Sequence, residues 1–111
     1  MAVFLNTNRA QALLDDFKAK IRAGHIVTWA CDADGDFTHS VDQWKNRAWL
    51  RPVVTPTYLR LHILKPQGRT IDAGLYGVYH GRFIESMVAH CSSLFDTGAA
   101  TAKPVSGVDQ T

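Results

Sequence analysis

From Tyr58 to Ile63 the chain alternates without a break. Leu59, Leu61 and Ile63 are apolar, while Tyr58, Arg60 and His62 are polar or amphipathic. Successive side chains of a strand point to opposite faces, so this segment buries one side and leaves the other open. A chain that contains it needs a sheet with one covered face and one uncovered face. The remaining segments are constrained by what they can add to that sheet and what they can lay over it.

Two segments have helical spacing. Ala10, Leu13, Leu14, Phe17 and Ile21 recur every three or four residues and predict an amphipathic helix over about 8–23. Asn8 with Gln11 reads as its capping pair and Gly24 as its left-handed terminator. A second helix is predicted over about 82–95, with Phe83, Ile84, Met87, Val88, Cys91, Leu94 and Phe95 as its apolar stripe. The strand-forming stretches are 26–31, 37–39, 48–54 and 58–64, with a further one over 70–79 interrupted by Gly74 and Gly77. Asp34-Gly35 predicts a two-residue hairpin turn that sets Asp32 opposite Phe37 and Cys31 opposite Thr38. Pro52 predicts an edge position for the 48–54 strand. Residues 41–47 read as a loop or a single helical turn. The predicted fold is α+β: a two-layer sandwich of an antiparallel sheet of about four to five strands, with the N-terminal and C-terminal helices on one face.

A chain of 111 residues with 46% apolar and 20% charged residues suits one domain. Residues 1–96 are predicted as that domain and 97–111, rich in small and polar residues, as a flexible tail. Cys31 and Cys91 have neither framework nor CxxC spacing, so no disulfide, zinc site or redox motif is expected. The beginning of the chain lacks a cationic region followed by a long apolar run, and no apolar stretch reaches membrane-spanning length. A cytoplasmic location without membrane association is the expectation.

The charge is unevenly distributed. Residues 45–82 hold Lys45, Arg47, Arg51, Arg60, Lys65, Arg69 and Arg82 against the single acid Asp72, a net +6 within a chain of net +2. The same stretch holds Trp49 and all three tyrosines, with Trp44 just outside it. Arginine offers a planar fork to phosphate and carboxylate, and aromatic rings offer flat contact area. Trp44, Arg47, Trp49, Arg51, Tyr58, Arg60, His62 and Arg69 are therefore the predicted partner-binding set. Tyr79-His80-Gly81-Arg82 is read as the turn from the last strand into the second helix, where His80, Arg82 and free amides would hold an anion.

Other constellations carry less. Asp32-Ala33-Asp34-Gly35-Asp36 lacks the glycine and glutamate positions of an EF-hand loop and reads as turn chemistry. His25, His39, His62, His80 and His90 show no HxH or HxxxH spacing. His39 paired with the acidic loop is the one acid–base pairing the hairpin suggests. No nucleophilic role is expected of Cys31 or Cys91. No cofactor or metal is expected. The function these features point to is a small non-enzymatic interaction module, monomeric or homodimeric. It would bind a protein or other anionic partner through a basic, aromatic sheet face. Nucleic-acid binding through 45–82 is the alternative, and a small His/Asp enzyme is the second.

Overall fold

The computed structural model describes residues 2–110. Met1 and Thr111, the outer ends of the expected domain and tail, lie outside them. The elements run β1 (Ala2–Asn6), α1 (Ala10–Arg22), β2 (Trp29–Cys31), β3 (Phe37–His39), β4 (Trp49–Val54), β5 (Tyr58–Leu64), α2 (Ala73–Cys91), a short 3-10 turn (Ser92–Leu94) and β6 (Thr97–Ala100). The fold is α+β, with one six-stranded sheet in the order β2-β3-β4-β5-β1-β6 and every pairing antiparallel.

One core joins both helices to the sheet. Leu13, Leu14 and Phe17 of α1 and Tyr76, Tyr79, Phe83 and Met87 of α2 meet Val3, Leu5, Leu50, Leu59, Leu61 and Ile63. The last three are fully buried, while Tyr58, Arg60 and His62 between them are only half-buried. The alternation in β5 thus divides covered face from open face. A ring cluster fills the centre: Phe83 lies 5.0 Å from Phe17, 5.2 Å from Trp29 and 5.9 Å from Phe37 between centroids.

Several expectations are corrected. β1 was not predicted, yet it lies between β5 and β6 and sends Val3 and Leu5 into the core. Residues 70–79 are not a strand: α2 begins at Ala73, after Asp72 accepts the Leu75 amide as N-cap. Tyr76, Tyr79, His80, Phe83 and Met87 form its buried stripe, and Gly74, Gly77 and Gly81 are exposed. The glycines that suggested a broken strand lie on the outer side of a helix. Val88, expected in the apolar stripe, is exposed.

The β2–β3 hairpin is one residue out of the predicted register, with Cys31 opposite Phe37 and Ala30 opposite Thr38. The Asp32 amide donates to the Asp36 carbonyl, so three residues lie between the closing pair. Gly35 supplies the positive φ of +85° that ends such a turn. Pro52 does not mark an edge strand. β4 lies between β3 and β5, but β3 pairs with it only at Leu50, so the Pro52 half has no neighbour on that side. α1 is not capped by Asn8: Arg9 holds the N-cap position without a side-chain bond. Gly24 does take the left-handed conformation.

The tail does not run free of the domain. β6 pairs along β1, and the segment beyond it returns to β5. Asp109 accepts from the amides of Ile63 and Val105 and from the Tyr76 hydroxyl, and the Gln110 amide donates to the Ile63 carbonyl. Among the described residues no helix is long and apolar enough to cross a membrane.

Candidate functional site

The structure divides the predicted partner-binding residues between two places. β-pairing sets Trp49, Arg51 and Val53 of β4 beside Leu64, His62 and Arg60 of β5, and sets His62, Arg60 and Tyr58 beside Ala2, Phe4 and Asn6 of β1. These side chains share the open face, opposite the helices. Arg60 lies in a row between Val53 and Phe4. Phe4 and Tyr58 meet edge to face, with centroids 5.4 Å apart. Arg60 Nε and His62 Nδ1 are shielded from solvent, yet neither finds a hydrogen-bond partner among the described residues.

Arg51 is already engaged. Its Nε and Nη2 donate to the two carboxylate oxygens of Asp36 at 2.9 and 2.8 Å, a bidentate fork. The Asp36 side chain is 5% exposed and that of Arg51 48%. The fork ties β4 to the hairpin turn and neutralises one cation of the open face. Phe4, Trp49, Val53, Tyr58 and Leu64 consequently dominate that face, and Arg60 is its one cation without a carboxylate partner among the described residues.

Trp44, Arg47 and Arg69 are elsewhere. Residues 41–47 form a hydrogen-bonded turn in which the Lys45 amide donates to the Val41 carbonyl and Asn46 has a positive φ of 59°. The Tyr79 hydroxyl donates to the Trp44 carbonyl at 2.5 Å, and the Asn46 amide donates to Thr38 Oγ1, so α2 and β3 hold the turn in place. The Arg47 guanidinium lies 5.9 Å from the Trp44 ring centroid. Between this turn and the start of α2 is a cleft of about 320 Å³ lined by Trp44, Arg47, Arg69, Thr70, Asp72, Gly74 and Leu75.

The cations of 45–82 therefore do not share one surface. Arg51 and Arg60 are on the sheet, Lys45 is in the 41–47 turn, Arg47 and Arg69 line the cleft, Lys65 follows the end of β5, and Arg82 is on α2. Tyr79-His80-Gly81-Arg82 is not a strand-to-helix turn. It lies inside α2, where the amides serve the helix; His80 is buried against Tyr76 and Arg82 is exposed. The helix start that sequence reasoning sought at Arg82 is at Asp72.

His39 does not meet the acidic turn. It is buried, stacked on Trp29 with centroids 5.0 Å apart, and its charged neighbours are Arg82 and Glu85. Asp32, Asp34 and Asp36 do bring ligand atoms within 4.8 Å of one another. Asp32 Oδ1, however, accepts the amides of Asp34 and Asp36, and Asp36 is held by Arg51. Burial, together with a bond to Asp16, pushes the Cys91 thiol up to about 12, and burial also raises Cys31. Neither sulfur is set up as a thiolate near neutral pH.

Burial lowers the pKa of both His39 and His62 from the ordinary 6.5. For His39 the nearby Arg82 reinforces this; for His62 Arg60 does. The unfolded chain therefore binds protons that the folded protein does not. Their contribution to stability is complete above 6.5 and is lost as pH falls from there through the folded values. A urea midpoint lower at pH 5 than at pH 7.5 is the expected result, and His39→Gln should shrink the difference. A midpoint that is flat over this range counts against the neutral buried imidazoles.

No family model matches the chain, no curated protein matches it, and no solved structure matches it.

Proposed function

We propose that the protein is a non-enzymatic interaction module that works as a homodimer, docking open sheet face against open sheet face. The observation that carries this reading is the composition of that face. Phe4, Trp49, Val53, Tyr58 and Leu64 surround Arg60, and both helices lie on the other side of the sheet. Aromatic residues and arginine, with few other charges, characterise the centres of protein interfaces.

A second copy suits this face better than an acidic partner does. The fork between Arg51 and Asp36 removes one positive charge, so two faces meet with little repulsion. Stacked sheets approach to about 10 Å, which lets their side chains interdigitate. The nucleic-acid reading draws no support from the dispersal of the cations, and the His/Asp reading draws none from the position of His39.

Sedimentation velocity from about 5 to 200 μM, a range that brackets a micromolar dimer, tests the proposal. Wild type should move toward twice the monomer mass as concentration rises. Trp49→Ala and Arg60→Asp should each shift the transition to higher concentration, while Val88→Ala, on the exposed side of α2, should not. Monomeric wild type throughout, or a dimer indifferent to Trp49 and Arg60, would overturn it.

A further inference from the structure

We infer that the cleft between the 41–47 turn and the start of α2 is a binding site for a phosphate monoester. Arg47 and Arg69 reach it from separate segments, and neither has a carboxylate partner among the described residues. In this they differ from Arg51, whose fork is filled by Asp36. Two arginines lining one cleft match a phosphate, which carries nearly two negative charges at neutral pH and accepts hydrogen bonds on several sides. A carboxylate, planar and singly charged, fills one such fork and leaves the other empty.

The remaining lining fits the same ligand. Thr70 is a further polar residue of the lining. The Leu75 side chain and the Trp44 ring give the organic substituent an apolar wall, which is why an ester suits the cleft better than the free ion. Arg47 is held over the Trp44 ring, and the Trp44 carbonyl is held by Tyr79, so one wall is ordered before any ligand arrives. The helix end is not what recognises the anion: Asp72 already caps it, and its carboxylate lies in the wall. Asp72 opposes negative charge beside it and drives the phosphate toward the two arginines.

The probe is phenyl phosphate, titrated calorimetrically into the full-length protein at low salt, with phenol and inorganic phosphate for comparison. Phenyl phosphate should bind in about the millimolar range or tighter, inorganic phosphate more weakly, and phenol not at all. Arg47→Ala and Arg69→Ala should each weaken binding at least about tenfold, and Arg82→Ala should leave it unchanged. Both arginines are exposed, so unaltered thermal melts would show that the variants fold. A short phosphotyrosine peptide separates the two sources of the group. Tighter binding than phenyl phosphate assigns a phosphorylated protein segment, and equal binding assigns a free ester; either supports the phosphate site. Absence of binding at about 10 mM, or affinity unchanged in the Arg47→Ala, Arg69→Ala double variant, would overturn it. The sheet face is not involved, so a monomeric protein leaves this site untouched.

Discussion

Replacing Phe83 with alanine should destabilise the protein by about 3–5 kcal/mol, the cost of emptying a fully buried aromatic site that cannot collapse. Phe83 projects from the middle of α2 into rings contributed by three other elements: Phe17 of α1, Trp29 of β2 and Phe37 of β3. Its removal takes contact area from α1, α2 and the sheet together. Urea unfolding followed by far-ultraviolet circular dichroism measures the loss. Phe83→Leu, which keeps most of the volume, should cost clearly less. A cost below about 1 kcal/mol for the alanine variant would mean that Phe83 is not at the centre of the core, because surface substitutions fall in that range.

The second large effect is expected at Asp109, in a segment that composition alone marks as loose. One carboxylate there accepts from the Ile63 amide at 2.9 Å, the Val105 amide at 2.7 Å and the Tyr76 hydroxyl at 3.1 Å. It joins the tail to β5 and to α2 at once. Asp109→Ala removes the charged acceptor and leaves the Ile63 amide without its bond, at a cost of about 2–3 kcal/mol. Hydrogen exchange at the Ile63 amide should quicken alongside the fall in urea midpoint. An unchanged midpoint together with an unchanged Ile63 exchange rate would show that the tail does not latch the sheet.

What could be read from the sequence was whatever is set by local periodicity. The β5 alternation separates Leu59, Leu61 and Ile63 from Tyr58, Arg60 and His62 as the side-chain period of a strand demands. The α1 stripe and the left-handed Gly24 follow from helix geometry in the same way. Where two local rules competed, tertiary burial decided. Gly74 and Gly77 weaken strand and helix alike, but Tyr76, Tyr79, His80 and Phe83 could all reach the core only on a helix. Their three- and four-residue spacing was the signal available, and Asp72 was the available cap. β1 offered only Ala2–Asn6, too short to stand out, and its place beside β5 depends on a long-range pairing no local pattern encodes.

The candidate sites divide along the same line. Tyr58, Arg60, His62 and Trp49 share a face because strand alternation placed them there. The neutralisation of Arg51 by Asp36 required the fold, since the two residues meet only when β4 lies against the hairpin turn. The anion site sought at a helix start rested on sound electrostatics applied at Arg82, whereas the helix starts at Asp72. The cations that follow one another along the chain do not gather on one surface, because consecutive elements carry them to the sheet, to the cleft and to α2.

The claim on which the functional account rests is that the sheet face opposite the helices is covered by a second copy. Hydroxyl-radical footprinting, read residue by residue at low and high protein concentration, tests it directly. The account predicts that oxidation of Phe4, Trp49 and Tyr58 falls as concentration rises, while that of Val88 and Val27, exposed elsewhere, stays constant. Equal oxidation of the three rings at both concentrations, or protection confined to α2, would contradict it.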